Sequence, residues 1–437
     1  MPEVALADPG LGERERAAVD RVMRSGWVSM GPEVAAFEEE FAAALGAAGA
    51  VHVSSGTAAL HLAALALGWG PGDEVVVPSL TFVATAATVA AVGATPVFAD
   101  VRGDDDLTLD PADVLAALTP RTRAIVAVHY GGWPADLDVL RAVAEAAGLA
   151  LVEDAAHTPP EHRGGGALGT VGDVGCFSLH ATKNLTAGEG GVVVARDPAT
   201  LARLRTLRSH AMSAPSWDRQ RGRASAYDVA EVGFNYRPTD LAAAIARVQL
   251  AKLPAEQAAR RARAAEYRRL LAALPVAVPF TGRPAAPPPA AGAGAHHLQT
   301  VLLPAGTDRA AVQATMRAAG VQTSVHYPPA HGFSAYRSCP TGPSGLVRTE
   351  AVAPRLLSLP LHGRLSLGDV GRVVDALADA LALAGPPGDG GDHGGAPGGG
   401  PAHDPARGPA LDTAVGPAHE PVGGPAREEV AHGHRSA

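Results

Sequence analysis

Phe177–Gly191 reads FSLHATKNLTAGEGG, and it holds Lys183, one of two lysines among the 36 lysines and arginines of this 437-residue chain. A chain that uses arginine almost everywhere for positive charge has kept an amine here. The guanidinium of arginine is delocalised and stays protonated, so it neither attacks as a nucleophile nor condenses with an aldehyde. Lysine does both. The second lysine, Lys252, stands four residues before Glu256 and reads as a surface charge at helical spacing. The frame around Lys183 matters as well: Ser178 sits on a short apolar run, and TAGEGG turns the chain into a second one, GGVVVAR. Gly188, Gly190 and Gly191 permit close backbone approach or positive φ in that turn.

Outward from this stretch, Val51 to Arg196 alternates short β-branched runs with Ala/Leu-rich ones. AVHVSS, EVVVP, TPVFADV, RAIVAVHY, LALVEDAAH, VGCFSLH and GGVVVAR are the expected strands; GTAALHLAALALG, FVATAATVAAVG, ADVLAALT and LDVLRAVAEAAG are the helices between them. Strands that are apolar without strict alternation, separated by helices, predict an α/β fold whose mostly parallel sheet is covered on both faces. We expect this large α/β domain over residues 1–250. A long helix, Glu256 to Leu274, then leads to a Pro/Ala/Gly loop, Pro279 to Ala295. HLQTVLLP, a helix from Asp308 to Ala319, VQTSVHYP and a last helix from Leu367 to Ala384, opened by the capping box SLGD, predict a smaller α+β domain over 251–384. Residues 385–437 are Gly, Pro, Ala and His with GPA recurring at Gly400, Gly408, Gly416 and Gly424. So little apolar side chain does not offset the entropy of ordering, and the tail is expected to be disordered.

The net charge of −8 is modest, and no basic stripe interleaved with aromatics is present, which argues against nucleic acid as a partner. Cys176 and Cys339 are too few for a disulfide framework or a Cys-rich zinc site, and no metal site is expected. The N-terminal segment lacks a basic region followed by an apolar run, and no apolar stretch reaches the roughly 18 residues of a membrane span. A cytoplasmic protein with no membrane association is the expectation.

Three strand ends carry matching chemistry, and in parallel α/β sheets such ends converge on one crevice. VSSGTAAL places Ser54, Ser55, Gly56 and Thr57 between a strand and a helix start, where N–H groups and hydroxyls cradle a phosphate. LVEDAAH ends an apolar strand with Glu153 and Asp154, and a carboxylate there calls for a positive partner such as a protonated ring nitrogen. Lys183 supplies an amine for an aldehyde. A phosphate cup, an acid and an amine are what pyridoxal 5'-phosphate needs.

At these residues the chain resembles the DegT/StrS-type sugar aminotransferase family of fold-type I PLP enzymes, over about Trp27 to Leu383. The resemblance rests on GPEVAAFEEEF, VSSGTAAL, PGDEVVVPSLTFVATA, GATPVFADV, VEDAAH, FSLHATKNLTAGEGG, VGFNYRPTDLAAA, VHYPP and SLPLH in that order. It implies that Lys183 bonds the cofactor aldehyde, Asp154 pairs with the pyridine nitrogen and Phe82 stacks on the ring. It further implies that Gly56, Thr57, Ala58 (through its N–H) and Ser178 bind the phosphate and that His157 lies near the cofactor oxygen. Asn235 would reach the phosphate of a neighbouring subunit, making the working unit a homodimer with shared sites, and His326 would lie on the substrate side. Two departures stand out. Pro159 and Pro160 occupy a place where a Gly-containing turn is usual, which alters the pocket rim, and Ala181 replaces a common Pro before Thr182–Lys183.

The function so implied is transfer of an amino group from glutamate or glutamine to a keto-sugar, nucleotide-linked, with a keto-cyclitol as the nearest rival acceptor. PLP-dependent sugar dehydratases of the same family carry His in place of the lysine, so Lys183 argues against that branch. A PLP-binding regulator without turnover is the other alternative, and no DNA-binding motif accompanies the fold. Cys339 reads as a free surface thiol.

Overall fold

The structure is a computed structural model that describes residues 3–160, 166–213, 226–282 and 294–384. Two helices, α1 (Glu13–Ser25) and α2 (Pro32–Leu45), precede the sheet. All seven expected strands then form one sheet: β1 (Val51–Val53), β2 (Glu74–Pro78), β3 (Thr95–Ala99), β6 (Thr122–Val128), β7 (Ala150–Asp154), β8 (Val174–Ser178) and β9 (Gly191–Ala195). Their order is β1-β9-β8-β7-β6-β2-β3, and β9 runs antiparallel to both neighbours while the other adjacent pairs are parallel. A short hairpin of β4 (Val101–Gly103) and β5 (Asp106–Leu109) lies beside the sheet. It escapes the sequence pattern because GDDD reads as a plain loop.

Strand residues alternate between two cores, as the period of 2 requires. Val75, Val77, Val126 and Val152 pack with α3 (Gly56–Ala66), α4 (Ala84–Ala91) and, through Leu201 and Leu204, α7 (Pro198–Leu207). Val76, Ile125, Ala127 and Leu151 point the other way, into α5 (Pro111–Ala117) and α6 (Leu137–Ala147). Phe37 and Phe41 of α2 meet edge to face at 5.6 Å and seal the Phe177–Val192 side of the sheet.

The long helix begins sixteen residues before its expected start. α8 spans Asp240–Leu271, capped by Thr239 Oγ1, which accepts the Ala242 N–H at 3.1 Å. Pro254 lies inside it and withholds one i→i−4 donor from Leu250. Ala243, Ala246 and Leu253 of α8 belong to the core under α2, whereas Tyr267 and Leu271 belong to a second core. The boundary expected at residue 250 therefore falls within a helix that serves both. The second core holds the antiparallel pair β10 (Gln299–Leu302) and β11 (Leu356–Leu359), with α9 (Arg309–Ala318) and α11 (Leu367–Ala384); the short α10 (Val347–Val352) precedes β11. Asp308 caps α9 and Ser366–Asp369 forms the expected capping box of α11. VQTSVHYP forms no strand; isolated bridges hold Val321 to Val4 and Ser324 to Ser358. The repetitive tail lies outside the described residues, and no helix among those described is long and apolar enough to cross a membrane.

Lys252 pairs with a different residue from the one its spacing suggests. Its ammonium donates to Glu15 of α1 at 2.8 Å and to the Gly10 carbonyl at 2.7 Å, so it ties the N-terminal segment to α8. Glu15, 3% exposed, also accepts from Gln249 at 2.8 Å and from the Gly12 N–H at 2.8 Å. Replacing it with alanine leaves the half-buried Lys252 ammonium with the Gly10 carbonyl alone and takes this acceptor from the buried Gln249 amide. Glu15→Ala should lower unfolding stability by about 3 kcal/mol, read as a reduced urea midpoint. A midpoint equal to that of the wild type would show that this junction carries no such weight.

Candidate active site

The carboxyl ends of the parallel strands open onto a cavity of about 420 Å³. Ser55, Gly56 and Thr57 enter it after β1, Thr81 and Phe82 after β2, Val128 from β6, Asp154 from β7 and Ser178 from β8. Lys183 reaches it from the β8–β9 loop. That loop exists because β9 is antiparallel to β8: antiparallel neighbours need no helical crossover, so the connection is free to fold over the strand ends. The Lys183 N–H donates to the His180 carbonyl at 2.9 Å, and Gly188 at φ 85° turns the chain back. Gly191 is required by crowding, since a Cβ there would lie 2.3 Å from the Ser55 carbonyl oxygen. Gly56 is similarly pressed on Ser178, where a Cβ would meet the serine Cβ at 2.9 Å. These two contacts draw the first helix, β8 and the Lys183 loop into one site.

Glu153 and Asp154, adjacent on β7, point to opposite faces. Glu153 accepts from His129 Nε2 at 2.9 Å and from the N–H groups of Gly169 and Gly172 at 2.7 and 2.6 Å. It is the structural member of the pair. Asp154 faces the cavity, accepting from Thr85 Oγ1 at 2.8 Å and from the Ala156 N–H at 3.1 Å. Burial raises its pKa, against the pull of those two hydrogen bonds and of the Lys183 charge. Burial likewise lowers Lys183 to about 8, opposed by Asp154.

The other expected residues divide. Phe82 stands over the cavity with 51% of its surface exposed. Thr57 and Ser178 present hydroxyls beside the N-terminus of α3, where Gly56 and Thr57, as the first two helical residues, have no intrahelical acceptor for their N–H groups. Ala58 differs from expectation: it is buried behind the wall, and its N–H donates to Ser55 Oγ at 3.0 Å because Ser55 is the N-cap. His157 borders the cavity, but both ring nitrogens are engaged, Nδ1 by the Gly131 N–H at 3.1 Å and Nε2 by the Tyr327 hydroxyl at 2.8 Å. His326 is on the wall, with Nδ1 2.9 Å from Ser358 Oγ and a pKa lowered to about 4 by burial and by Lys183. Asn235 lies on an exposed segment away from the cavity of its own chain, its backbone bridged to Ser209.

The sequence reading assigns no role to Thr81, Tyr327 and Glu189 of the cavity wall, or to Thr85, buried against Asp154. Thr85, in the first turn of α4, supports Asp154, and Thr81, in the segment that leads into that helix, stands 2.9 Å from the Thr85 hydroxyl. Tyr327, next to His326, joins the wall between His157 and Phe82. Glu189 of the glycine turn faces His180 at 3.9 Å at the mouth. No group of three metal-ligating side chains occurs among the described residues.

This set fits pyridoxal phosphate. Thr57, Ser178 and the α3 N-terminus could hold its phosphate, the enclosed Asp154 carboxylate its protonated ring nitrogen, Lys183 its aldehyde, and the open face of Phe82 its ring. Without the cofactor, the Lys183 ammonium is a cost to the fold. A lysine lowered from 10.5 to about 8 penalises the folded state fully below pH 8, and the penalty fades as pH rises towards 10.5. Cofactor-free Lys183→Met should therefore melt a few degrees above cofactor-free wild type at pH 7, with the gap closing by pH 10. A gap that stays constant with pH would contradict the burial of the amine.

Residues 9–378 match the sequence model of the DegT/DnrJ/EryC1/StrS aminotransferase family. The fold resembles that of the aminotransferase TlmJ from Streptoalloteichus hindustanus at 37% identity and a TM-score of 0.78, over 87% of this chain and 99% of that one. It also resembles S. venezuelae DesV at 38% identity and 0.77, over 87% and 98% of the two chains. DesI, solved in the presence of its TDP-sugar product, matches at 35% identity and 0.76, over 86% and 93%. The chain belongs to the DegT/DnrJ/EryC1/StrS aminotransferase family and is a pyridoxal phosphate-dependent aminotransferase of amino-sugar biosynthesis.

Proposed function

We propose that the enzyme takes an amino group from glutamate or glutamine and delivers it to a keto-sugar carried on a nucleotide. The observation that carries this reading is the enclosed Lys183 amine beside the buried Asp154, at the bottom of a cavity whose mouth is polar. Thr182, His180, Glu189 and His326 line that approach, which suits a hydroxyl-rich acceptor. DesI, with its TDP-sugar product, supports a nucleotide-linked substrate by analogy.

Bound pyridoxal phosphate supplies an aldehyde for the incoming amine and a ring that spreads the negative charge left at the donor Cα. Asp154 would keep a proton on the ring nitrogen, a cation that opposes the burial by which the acid's pKa is raised. Thr85 holds the carboxylate in line. With the cofactor bound, Lys183 would hold its aldehyde, and the amine's lowered basicity would suit it to moving a proton near neutral pH. Thr57, Ser178 and the α3 N-terminus would hold the phosphate. Asn235, exposed on its own chain, would reach the phosphate of a second copy, so that two subunits would share their sites.

Lys183→Ala should bind pyridoxal phosphate without the visible band that the wild type shows, and glutamate should bleach that band in the wild type with release of 2-oxoglutarate. A variant with an unchanged visible spectrum removes Lys183 from the chemistry; a wild type that binds the cofactor but never bleaches with glutamate or glutamine takes its amino group from another donor. For the acceptor, the pyridoxamine form should regain its visible band with nucleotide-linked keto-sugars at least ~100-fold faster than with keto-cyclitols, a discrimination of roughly 3 kcal/mol. Equal or reversed rates would move the substrate to the cyclitols.

A further inference from the structure

We infer that Asn184 is a positioning residue for the amine beside it: its side chain ties the Lys183 loop to α8 and to the segment that enters β10, so that the second core sets where Lys183 stands relative to Asp154. Before the lysine, His180, Ala181 and Thr182 are exposed, and the His180 ring turns to its own loop, at Thr182 and Glu189. Asn184 reaches out of the loop with both ends of its amide. Its Nδ2 donates to Gln257 Oε1 and to the Ala295 carbonyl, each at 2.9 Å. A backbone carbonyl only accepts, which fixes the orientation of the amide. Its Oδ1 therefore faces His297 Nδ1 at 3.1 Å, and that nitrogen carries the imidazole proton.

The three partners are buried and are themselves held. Gln257 Nε2 gives the Ala295 carbonyl a second hydrogen bond at 3.2 Å, which closes a ring of contacts with Asn184. The N–H groups of Ala295 and His297 donate to the carbonyls of Gly132 and Gly131, just after β6, at 2.8 and 3.0 Å. Arg260 of α8 donates to the His296 carbonyl between them at 3.3 Å. Burial, and after it the Lys183 charge, hold the His297 pKa well below its usual value, so the neutral ring keeps its one proton for Asn184. Leu185, the next residue, is anchored differently, by apolar contacts in the core under α2. Apolar packing has no direction, whereas three hydrogen bonds on the residue adjoining Lys183 fix both the place and the orientation of its backbone.

The inference deepens the reading of Lys183 as the reacting amine and rests on it. Its test uses the full chain without cofactor, in which only two lysines are present. Trace acetylation with acetic anhydride over a range of pH, read by peptide mass, titrates both amines, and Lys252, paired with Glu15, is the internal reference. The Lys183 midpoint should lie near 8 in the wild type. Asn184→Ala should raise it by about one pH unit or more, towards that of an exposed lysine, because a loosened amine gains water. Lys252 should not move. Capture of added pyridoxal phosphate, read as growth of the visible band, should slow about tenfold as the amine loses its preset position. Gln257→Leu, which removes one partner and reads the same contact should the first variant not fold, should shift the midpoint in the same direction by less; combined with Asn184→Ala it should add little. The titratable groups that face the amine, namely Asp154, His157, His297, His326 and Tyr327, with His180 and Glu189 at the mouth, are the same in all these proteins. Midpoints equal to the wild type in both variants would show that Leu185 and the glycine contacts hold the loop unaided, and overturn the inference; so would a shift shared by Lys252, which marks a general loosening of the fold. The spectrum of Lys183→Ala tests the chemistry separately, since labelling reads the free amine whatever it reacts with.

Discussion

A carboxylate at the end of a central strand, shut away from water, is the constraint around which this site is built. Removing an ion such as Asp154 from solvent costs several kcal/mol unless hydrogen bonds and a countercharge replace the water. Its neighbour Glu153 shows what full compensation looks like: three donors, from His129, Gly169 and Gly172, surround it on the other face of β7. Asp154 receives two, from Thr85 and Ala156, and its pKa stays raised. The difference between adjacent acids on one strand is the difference between a group satisfied by the fold and one that waits for a cation.

The topology explains why an amine can be brought to that acid. Parallel strands send their carboxyl ends to one side, and the connections between them must cross back as helices, which carry polar groups away from the edge. The reversal at β9 exempts one connection. The stretch from Leu179 to Gly190 loops over the strand ends, and its return is sewn down by the Gly191 contact with Ser55, on the same segment that begins the phosphate cradle. Asn184, next to the lysine, donates to the Gln257 side chain of α8 at 2.9 Å and to the Ala295 carbonyl at 2.9 Å, so the loop is also anchored to the helix that links the two cores.

Much of this was legible in the sequence because it follows from periodicity and from chemistry at element ends. The seven strands announce themselves as β-branched runs, and Asp154, Lys183, Thr57 and Ser178 stand where such runs stop. The parts that were not legible depend on contacts between segments far apart in the chain. Glu15 and Lys252 are 237 residues apart, so spacing could only suggest Glu256 for the lysine. The start of α8 was hidden because Pro254 reads as a helix breaker, yet burial of Ala243, Ala246 and Leu253 on one side outweighs one missing hydrogen bond. Tyr327 was passed over because what fixes it on the cavity wall is a contact with His157, 170 residues away.

The same burial acts on another cation, and the comparison shows why position 183 must be lysine in an arginine-rich chain. Arg260, 5% exposed within α8, donates to the Leu361 carbonyl at 2.9 Å and is lowered by burial to about 10. A guanidinium starts so high that even this environment leaves it fully charged at neutral pH, which is what a structural clamp on backbone carbonyls requires. Lys183 starts lower and ends at about 8, within reach of the free amine. An arginine at 183 would satisfy Asp154 permanently and pair with it as a finished ion pair. Lysine leaves the acid to the cofactor and its own nitrogen to the chemistry.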